Sequence, residues 1–229
     1  MEIEILGKGA FESALVHLQP GETFVSESGA MYRASTNVDI DVTTHSRSSG
    51  GLFSGIKRLF AGENFFFSTY STDDGQQGEV GLAPTHQGEV HVIEMDGSSD
   101  WLCAGGSFLG ASSSINIDTQ FQGFKGFLTG ESLSFIKASG QGQLLVTAYG
   151  RIVSTQVDAE LTVDTGHVVA FEDTLQYTLS KAGGSWFRSW LGGEGIVLNF
   201  SGSGRLLTQS HNPSEFGKIL GPKLPDRSA

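Results

Sequence analysis

Cysteine is almost missing from this sequence. Cys103 is the single one in 229 residues, which excludes an internal disulfide and gives no sign of an oxidising compartment. Basic residues are also scarce, 14 against 25 acidic, for a net charge of −11. Such a surface repels nucleic-acid backbone and anionic bilayer alike, so nucleic acid is not an expected partner. No uninterrupted apolar stretch approaches the length of a membrane span, so no integral membrane segment is expected. The opening Met1-Glu2-Ile3-Glu4-Ile5 carries acids where a secretory signal carries Lys or Arg. These features lead to the expectation of a cytoplasmic protein. Proline is sparse as well, five against 32 glycines; the glycines are spread along the chain as turn formers and are not gathered into a linker.

What is present is β patterning. Polar and apolar residues alternate in Glu2-Ile3-Glu4-Ile5, Asn37-Val38-Asp39-Ile40-Asp41-Val42, Glu89-Val90-His91-Val92, Ile115-Asn116-Ile117-Asp118, Leu161-Thr162-Val163-Asp164 and Ile196-Val197-Leu198-Asn199-Phe200. Period two predicts strands with one buried face. Between them lie Gln19-Pro20-Gly21, Asp74-Gly75, Asp96-Gly97, Ser139-Gly140, Thr165-Gly166 and Ser201-Gly202, which predict turns because glycine reaches positive φ without a Cβ clash. Many short strands, closely spaced turns and little helix indicate an all-β sandwich or barrel. A chain of this length buries roughly 70% of its extended surface, enough for a core without staples.

One phrase occurs three times: Lys57-Arg58-Leu59-Phe60-Ala61-Gly62-Glu63, Lys125-Gly126-Phe127-Leu128-Thr129-Gly130-Glu131 and Arg188-Ser189-Trp190-Leu191-Gly192-Gly193-Glu194. A strand follows each Gly-Glu. After the last two come near-identical segments, Ser139-Gly140-Gln141-Gly142-Gln143-Leu144-Leu145 and Ser201-Gly202-Ser203-Gly204-Arg205-Leu206-Leu207. The period, about 65 residues, is longer than a solenoid rung and predicts a small β-sandwich per repeat. The repeats are expected at 1–97, with an extra loop around His45-Ser46-Arg47, at 98–157 and at 158–210. A tail at 211–229 follows, in which Ser214-Glu215-Phe216-Gly217-Lys218-Ile219-Leu220 predicts one helical turn.

Several phrases together resemble the "altered inheritance of mitochondria" family: Gly29-Ala30-Met31, Gly55-Ile56-Lys57-Arg58-Leu59, Gly62-Glu63-Asn64-Phe65-Phe66, Gly78-Glu79-Val80-Gly81-Leu82-Ala83-Pro84, Gly106-Ser107-Phe108-Leu109 and Val163-Asp164-Thr165-Gly166-His167-Val168-Val169-Ala170-Phe171. The resemblance covers nearly the whole chain. It implies a bacterial member related in fold to the tryptophan RNA-binding attenuation protein. The implied architecture is all-β, with three tandem attenuation-protein-like sandwich units in a pseudo-threefold arrangement, and no established enzymatic activity comes with it. The basic residues with which the attenuation protein reads RNA have no counterpart recurring once per repeat here, so RNA binding is not carried over.

Candidate chemistry is thin. A pseudo-threefold axis would let Glu63, Glu131 and Glu194 converge on a hard cation, but glycine at positive φ followed by a polar residue opening a strand accounts for the same words. Gly62, Gly130 and Gly193 with those acids therefore mark the repeat register, and no metal site or cofactor is assigned. The apolar segments before them, with Phe53, Ile56, Phe60, Phe124, Phe127, Trp186 and Trp190 beside Lys57, Arg58, Lys125 and Arg188, either plug the open ends of the sandwiches or form an interfacial patch for a protein or a bilayer. The six histidines form no metal-binding pair. Cys103, within Trp101-Leu102-Cys103-Ala104, reads as buried strand, not nucleophile. Glu172 and Asp173, adjacent on a strand, point to opposite faces and cannot work as an acid–base pair.

The expectation is a non-catalytic binding or scaffold protein that contacts protein or membrane partners. A small-ligand binder with a pocket between repeats is the alternative. Peripheral membrane contact and homo-oligomerisation stay open.

Overall fold

The computed structural model describes residues 1–7, 9, 11–43, 67–72, 75–120, 134–181 and 196–225. Strands dominate them. The first group is β1 (Glu2–Leu6), β2 (Ser13–Leu18), β3 (Thr23–Glu27), β4 (Met31–Ala34), β5 (Val38–Thr43), β6 (Phe67–Thr72) and β7 (Gly78–Leu82). Next come β8 (Val90–Asp96), β9 (Trp101–Ala104), β10 (Phe108–Ser112), β11 (Ile115–Gln120) and β12 (Phe135–Thr147). The last are β13 (Ile152–Val157), β14 (Glu160–Asp164), β15 (Val168–Glu172), β16 (Gln176–Lys181), β17 (Ile196–Ser201) and β18 (Gly204–Gln209). One helix, α1 (Pro213–Leu220), follows.

The strand pairs are antiparallel. β7 lies between β2 and β4, and β6 between β3 and β5. β12 takes β8 and β10 along its C-terminal half and β9 and β11 along its N-terminal half. β18 lies between β13 and β15, and β17 between β14 and β16. Two further pairs, β3 with β10 and β9 with β15, join these groups into an eleven-stranded sheet, leaving a four-stranded sheet β1-β2-β7-β4 and a three-stranded sheet β14-β17-β16.

Apolar faces close on three cores. One holds Val16, Phe24, Tyr70, Val80, Leu82 and Leu109; the second Ile93, Trp101, Cys103, Phe108, Ile136 and Leu144; the third Phe135, Phe171, Leu198, Phe200 and Leu206. In the third, Phe171 meets Phe135 edge-on at 5.3 Å and Phe200 at 5.0 Å, the geometry that aromatic quadrupoles favour.

Three sequence expectations need correction. The Ser139-Gly140-Gln141-Gly142 segment is not a turn: β12 runs through it for 13 residues, with Gly140 at φ 113° and Gly142 at φ 149°. These values let one strand pass from one set of partners to the other without reversing. The equivalent words at Ser201-Gly202 do make the hairpin between β17 and β18. The alternation of β5 buries only Val38, since Ile40 and Val42 extend beyond the core and are exposed. Finally, the tail forms eight helical residues, capped by Asn212, whose side chain accepts from the backbone N–H of Ser214 and Glu215, the usual way of satisfying first-turn donors.

Candidate interaction edges

Phe53, Ile56, Phe60, Phe124, Phe127, Trp186 and Trp190, and the Gly-Glu pairs at 62–63, 130–131 and 193–194, lie outside the described residues. Among the described residues, the feature with most to offer chemically is a pair of uncovered strand edges.

Their meaning comes from the two joining pairs. In β3–β10, Gly110 faces Ser26, Ala111 faces Val25 and Ser112 faces Phe24. In β9–β15, Ala170 faces Cys103, Phe171 faces Leu102 and Glu172 faces Trp101. Each is extended by one backbone bond, Ser113 N–H to the Thr23 carbonyl (3.2 Å) and Asp173 N–H to the Asp100 carbonyl (2.9 Å). Each of β10 and β15 also carries a register shift against its other neighbour, at Leu109 and at Val169. A bulge turns two consecutive side chains toward one face. Leu109 is accordingly buried with Phe24, and Val169 with Trp101 and Cys103. At Gly110 a Cβ would stand 2.5 Å from Phe24 Cε1, so the approach of β10 to β3 requires glycine there.

β4 has the same register shift against β7, at Tyr32, but on its other side no described strand pairs with it. Tyr32 is 49% exposed, while Leu109 and Val169 are 1% and 0% exposed. The Tyr32 ring lies over Gly81, where a Cβ would come within 2.7 Å of it. Beside it Arg33 pairs with Glu79 (3.2 Å), and the His17 ring lies 3.4 Å from Glu79 and 3.9 Å from Glu4, a line of polar side chains across the outer face. The hydrogen bonds to Tyr32 and Glu79 hold the Arg33 guanidinium above its usual value.

β14 likewise pairs only with β17 among the described strands. Phe24 in β3 and Trp101 and Cys103 in β9 are buried, whereas Leu161 and Val163 in β14 are only half-buried. On the opposite face Thr162 Oγ1 donates to Asn199 Oδ1 (2.8 Å) and Asn199 Nδ2 donates to Ser180 Oγ (2.6 Å).

Elsewhere the polar residues are engaged in structure. Lys137 bridges Asp100 (2.8 Å) and Asp173 (3.0 Å), whose hydrogen bonds raise its pKa. Glu172 accepts from Arg205 Nε at 2.7 Å, and the guanidinium stands 5.0 Å from the Trp101 ring centroid. Glu172 and Asp173 thus have different partners, Glu172 at the end of β15 and Asp173 in the turn that follows it, where strand alternation no longer applies. Cys103 is buried in β9 and burial pushes its thiol up to about 12, which does not suit a nucleophile. His167 sits in a 3-10 turn opened by Asp164 and bonds the Gln209 carbonyl through Nδ1 (2.7 Å). No three described His, Cys, Asp or Glu are grouped to hold a metal ion, and no described helix is long and apolar enough to cross a membrane.

The uncovered edges escaped sequence reading, although a signal existed: Gly29-Ala30-Met31-Tyr32-Arg33 carries a charge where Gly106-Ser107-Phe108-Leu109-Gly110 and Gly166-His167-Val168-Val169-Ala170 carry glycine and alanine.

Fold and edges define the class: an all-β protein of packed antiparallel sheets, in which β4 and β14 are among the strands with a described neighbour on one side only. The chain belongs to the mitochondrial biogenesis AIM24 family, whose model matches residues 3–211. It is 28% identical over 219 residues to an uncharacterized protein of Streptococcus pyogenes serotype M6, covering 93% of this chain and 87% of that one. It also resembles the crystal structure of a Streptococcus pyogenes protein, with a TM-score of 0.79 and 25% identity over 97% of this chain and 99% of the other.

Proposed function

We propose that the chain consists of three tandem attenuation-protein-like units in a pseudo-threefold arrangement, and that it works as a non-catalytic binding or scaffold protein whose docking sites for polypeptide are the edges of β4 and β14. The strand pairings support the three units. In six strands taken in order from β2, from β8 and from β13, the first and third flank the last, and the second and fourth flank the fifth, with β12 standing for both final strands of its group. A side chain at the end of the third strand, or one residue past it, also accepts from the equivalent backbone N–H each time: Ser35 from Glu79 (3.0 Å), Ser112 from Gln143 (3.1 Å) and Glu172 from Arg205 (2.8 Å). The units then begin at Glu12, Glu89 and Arg151 rather than at 1, 98 and 158, because β8 belongs with β12 and β13 with β18. Glu12 accepts from Val90 N–H (2.9 Å) and Glu89 from Ile152 N–H (2.8 Å), two matching ties between successive units. Arg151 holds the third such position and cannot accept.

The exposure of Tyr32, at a place where Leu109 and Val169 are buried, carries the functional reading. An edge strand presents a row of backbone donors and acceptors, and addition of a further strand satisfies them. The single buried thiol suits a reducing cytoplasm. The test is a photo-crosslinking amino acid placed at Tyr32 and, separately, at the exposed Ile219 of α1, away from any strand edge, in the native cell. Polypeptide adducts at 32 and not at 219 are expected; their absence at 32 refutes the docking role.

A further inference from the structure

We infer that the end of the molecule carrying α1 docks on an anionic phospholipid surface, with the apolar face of α1 laid into the headgroup boundary. Neither strand edge is needed for it. Phe216, Ile219 and Leu220, spaced i, i+3 and i+4, lie on one face of α1, and no residue of the helix is buried. Ile219 is 66% exposed, and Leu224, just after the turn Gly221–Lys223, is 58% exposed. The face is nonetheless fixed in place. Asn212 at the helix start donates to Asp164 Oδ1 (3.2 Å), and the Phe216 ring stands 5.7 Å from that of Tyr149, which also meets His211 at 5.4 Å. An amphipathic helix held with its apolar side outward marks a contact site.

Phe11 gives a second, independent sign. Phe11, Gly88 and Gly150 each stand two residues before the first strand of their unit. Glu12 N–H bonds the Gly88 carbonyl (2.9 Å), Gly88 is bridged to Gly150, and a Cβ on Gly150 would meet His211, so Phe11 shares the end occupied by α1. It is the one non-glycine residue at positive φ among the described residues (58°), and it is 69% exposed. A strained backbone that holds a phenyl ring in water, where both counterparts are glycine, points to a contact made by that ring.

The charges choose the occupant. Carboxylates at this end already have partners: Glu12 accepts from Val90 N–H (2.9 Å), Glu89 from Ile152 N–H (2.8 Å), Asp164 from Gly166 N–H (2.9 Å) and Glu215 from Lys218 Nζ (2.7 Å). Arg151, 3.6 Å from Glu89, is exposed beside them, as are Lys218 and Lys223. Anionic headgroups meet these cations with opposite charge. A second copy in an isologous dimer would meet them with its own, cation against cation. At about 1.5 Å per residue α1 is about 12 Å long, and its face is far smaller than the roughly 800 Å² that each partner gives a stable protein interface. The net charge of −11 describes the average surface and not this end, because charges more than about 8 Å away are largely screened at physiological ionic strength.

Flotation of the full chain with lipid vesicles tests the surface. Binding is expected to three-to-one phosphatidylcholine–phosphatidylglycerol vesicles, with release at high salt, and not to phosphatidylcholine alone. Ile219→Glu should weaken it about tenfold, and Lys223→Gln about fivefold, the equivalent of about 1 kcal/mol per cation near an anionic surface. Phe11→Gly should weaken it too; glycine is at ease at φ 58°, so lost binding there is not lost folding. Val42→Glu makes the same charge change as Ile219→Glu on exposed β5 and should bind as the parent does. All four positions are exposed, so an unchanged Tm shows that each variant keeps the fold. A loss in Val42→Glu as large as in Ile219→Glu overturns the site, and equal binding to neutral vesicles overturns the anionic surface. No binding to either vesicle overturns the proposal. Polypeptide adducts from the crosslinker at 219 place a protein on this face and overturn it as well.

Discussion

Leu109→Ala and Tyr32→Ala change residues at matching register shifts, one buried and one half-exposed, and their costs should separate. Leu109 is 1% exposed and packs in the core of Phe24, Tyr70 and Leu82. Its truncation loses the transfer energy of the removed carbons and leaves a cavity, about 3 kcal/mol within the range of 2–5 for such changes. Tyr32 has water on half its surface, and its removal leaves an open notch that solvent fills instead of a void. Its cost should be about 1 kcal/mol, near the centre of the distribution for ordinary substitutions. At roughly 2–4 °C per kcal/mol for a chain of this size, Leu109→Ala lowers Tm by about 6–12 °C and Tyr32→Ala by about 2–4 °C. Thermal and urea unfolding check both values. Equal losses at the two positions refute the reasoning, since they mean that Tyr32 is covered within a single chain.

Two further outcomes follow from titratable groups. Partial desolvation on the exposed side of β8, with Arg205 acting in the same direction and Glu89 against it, holds the His91 imidazole below its ordinary value, so the folded chain takes up its proton at lower pH than the unfolded chain, which protonates near pH 6.5. The stability tied to neutral His91 is present above about pH 6.5 and is lost as pH falls through the lowered folded value. His91→Gln should flatten the decline in urea midpoint between about pH 7 and pH 5.5, and an unchanged slope counts against the assignment. Cys103, with its thiol at about 12 and no solvent contact, should resist a thiol reagent in the native protein and react once denaturant opens β9. Prompt labelling under native conditions contradicts that burial.

The all-β class was legible because period-two alternation is a local property. Glu2-Ile3-Glu4-Ile5, Ile115-Asn116-Ile117-Asp118 and Leu161-Thr162-Val163-Asp164 each lie in a strand, and Trp101-Leu102-Cys103-Ala104 is the buried strand its composition indicates. The separate partners of Glu172 and Asp173 were not legible that way, because β15 ends at Glu172 and Asp173 lies in the turn after it. Glycine misled at 139–142, since the same residue that permits a reversal at Gly202 permits a continuing strand at Gly140 and Gly142. What surrounds the residue selects between them, and Ser114 and Ser112 lie against that stretch of β12.

By itself the sequence determined the strand-forming segments, most of the turns, the family and the absence of any internal disulfide, all of which depend on residue type and short spacing. Only the tertiary structure decided which strands have a neighbour on both sides. Met31-Tyr32 and Phe108-Leu109 are both large apolar pairs in local sequence, yet one is exposed and the other buried, because β10 meets β3 and no described strand meets the outer side of β4. Pairing between segments distant in sequence sets burial, and burial determines whether an edge is core or a place for a partner.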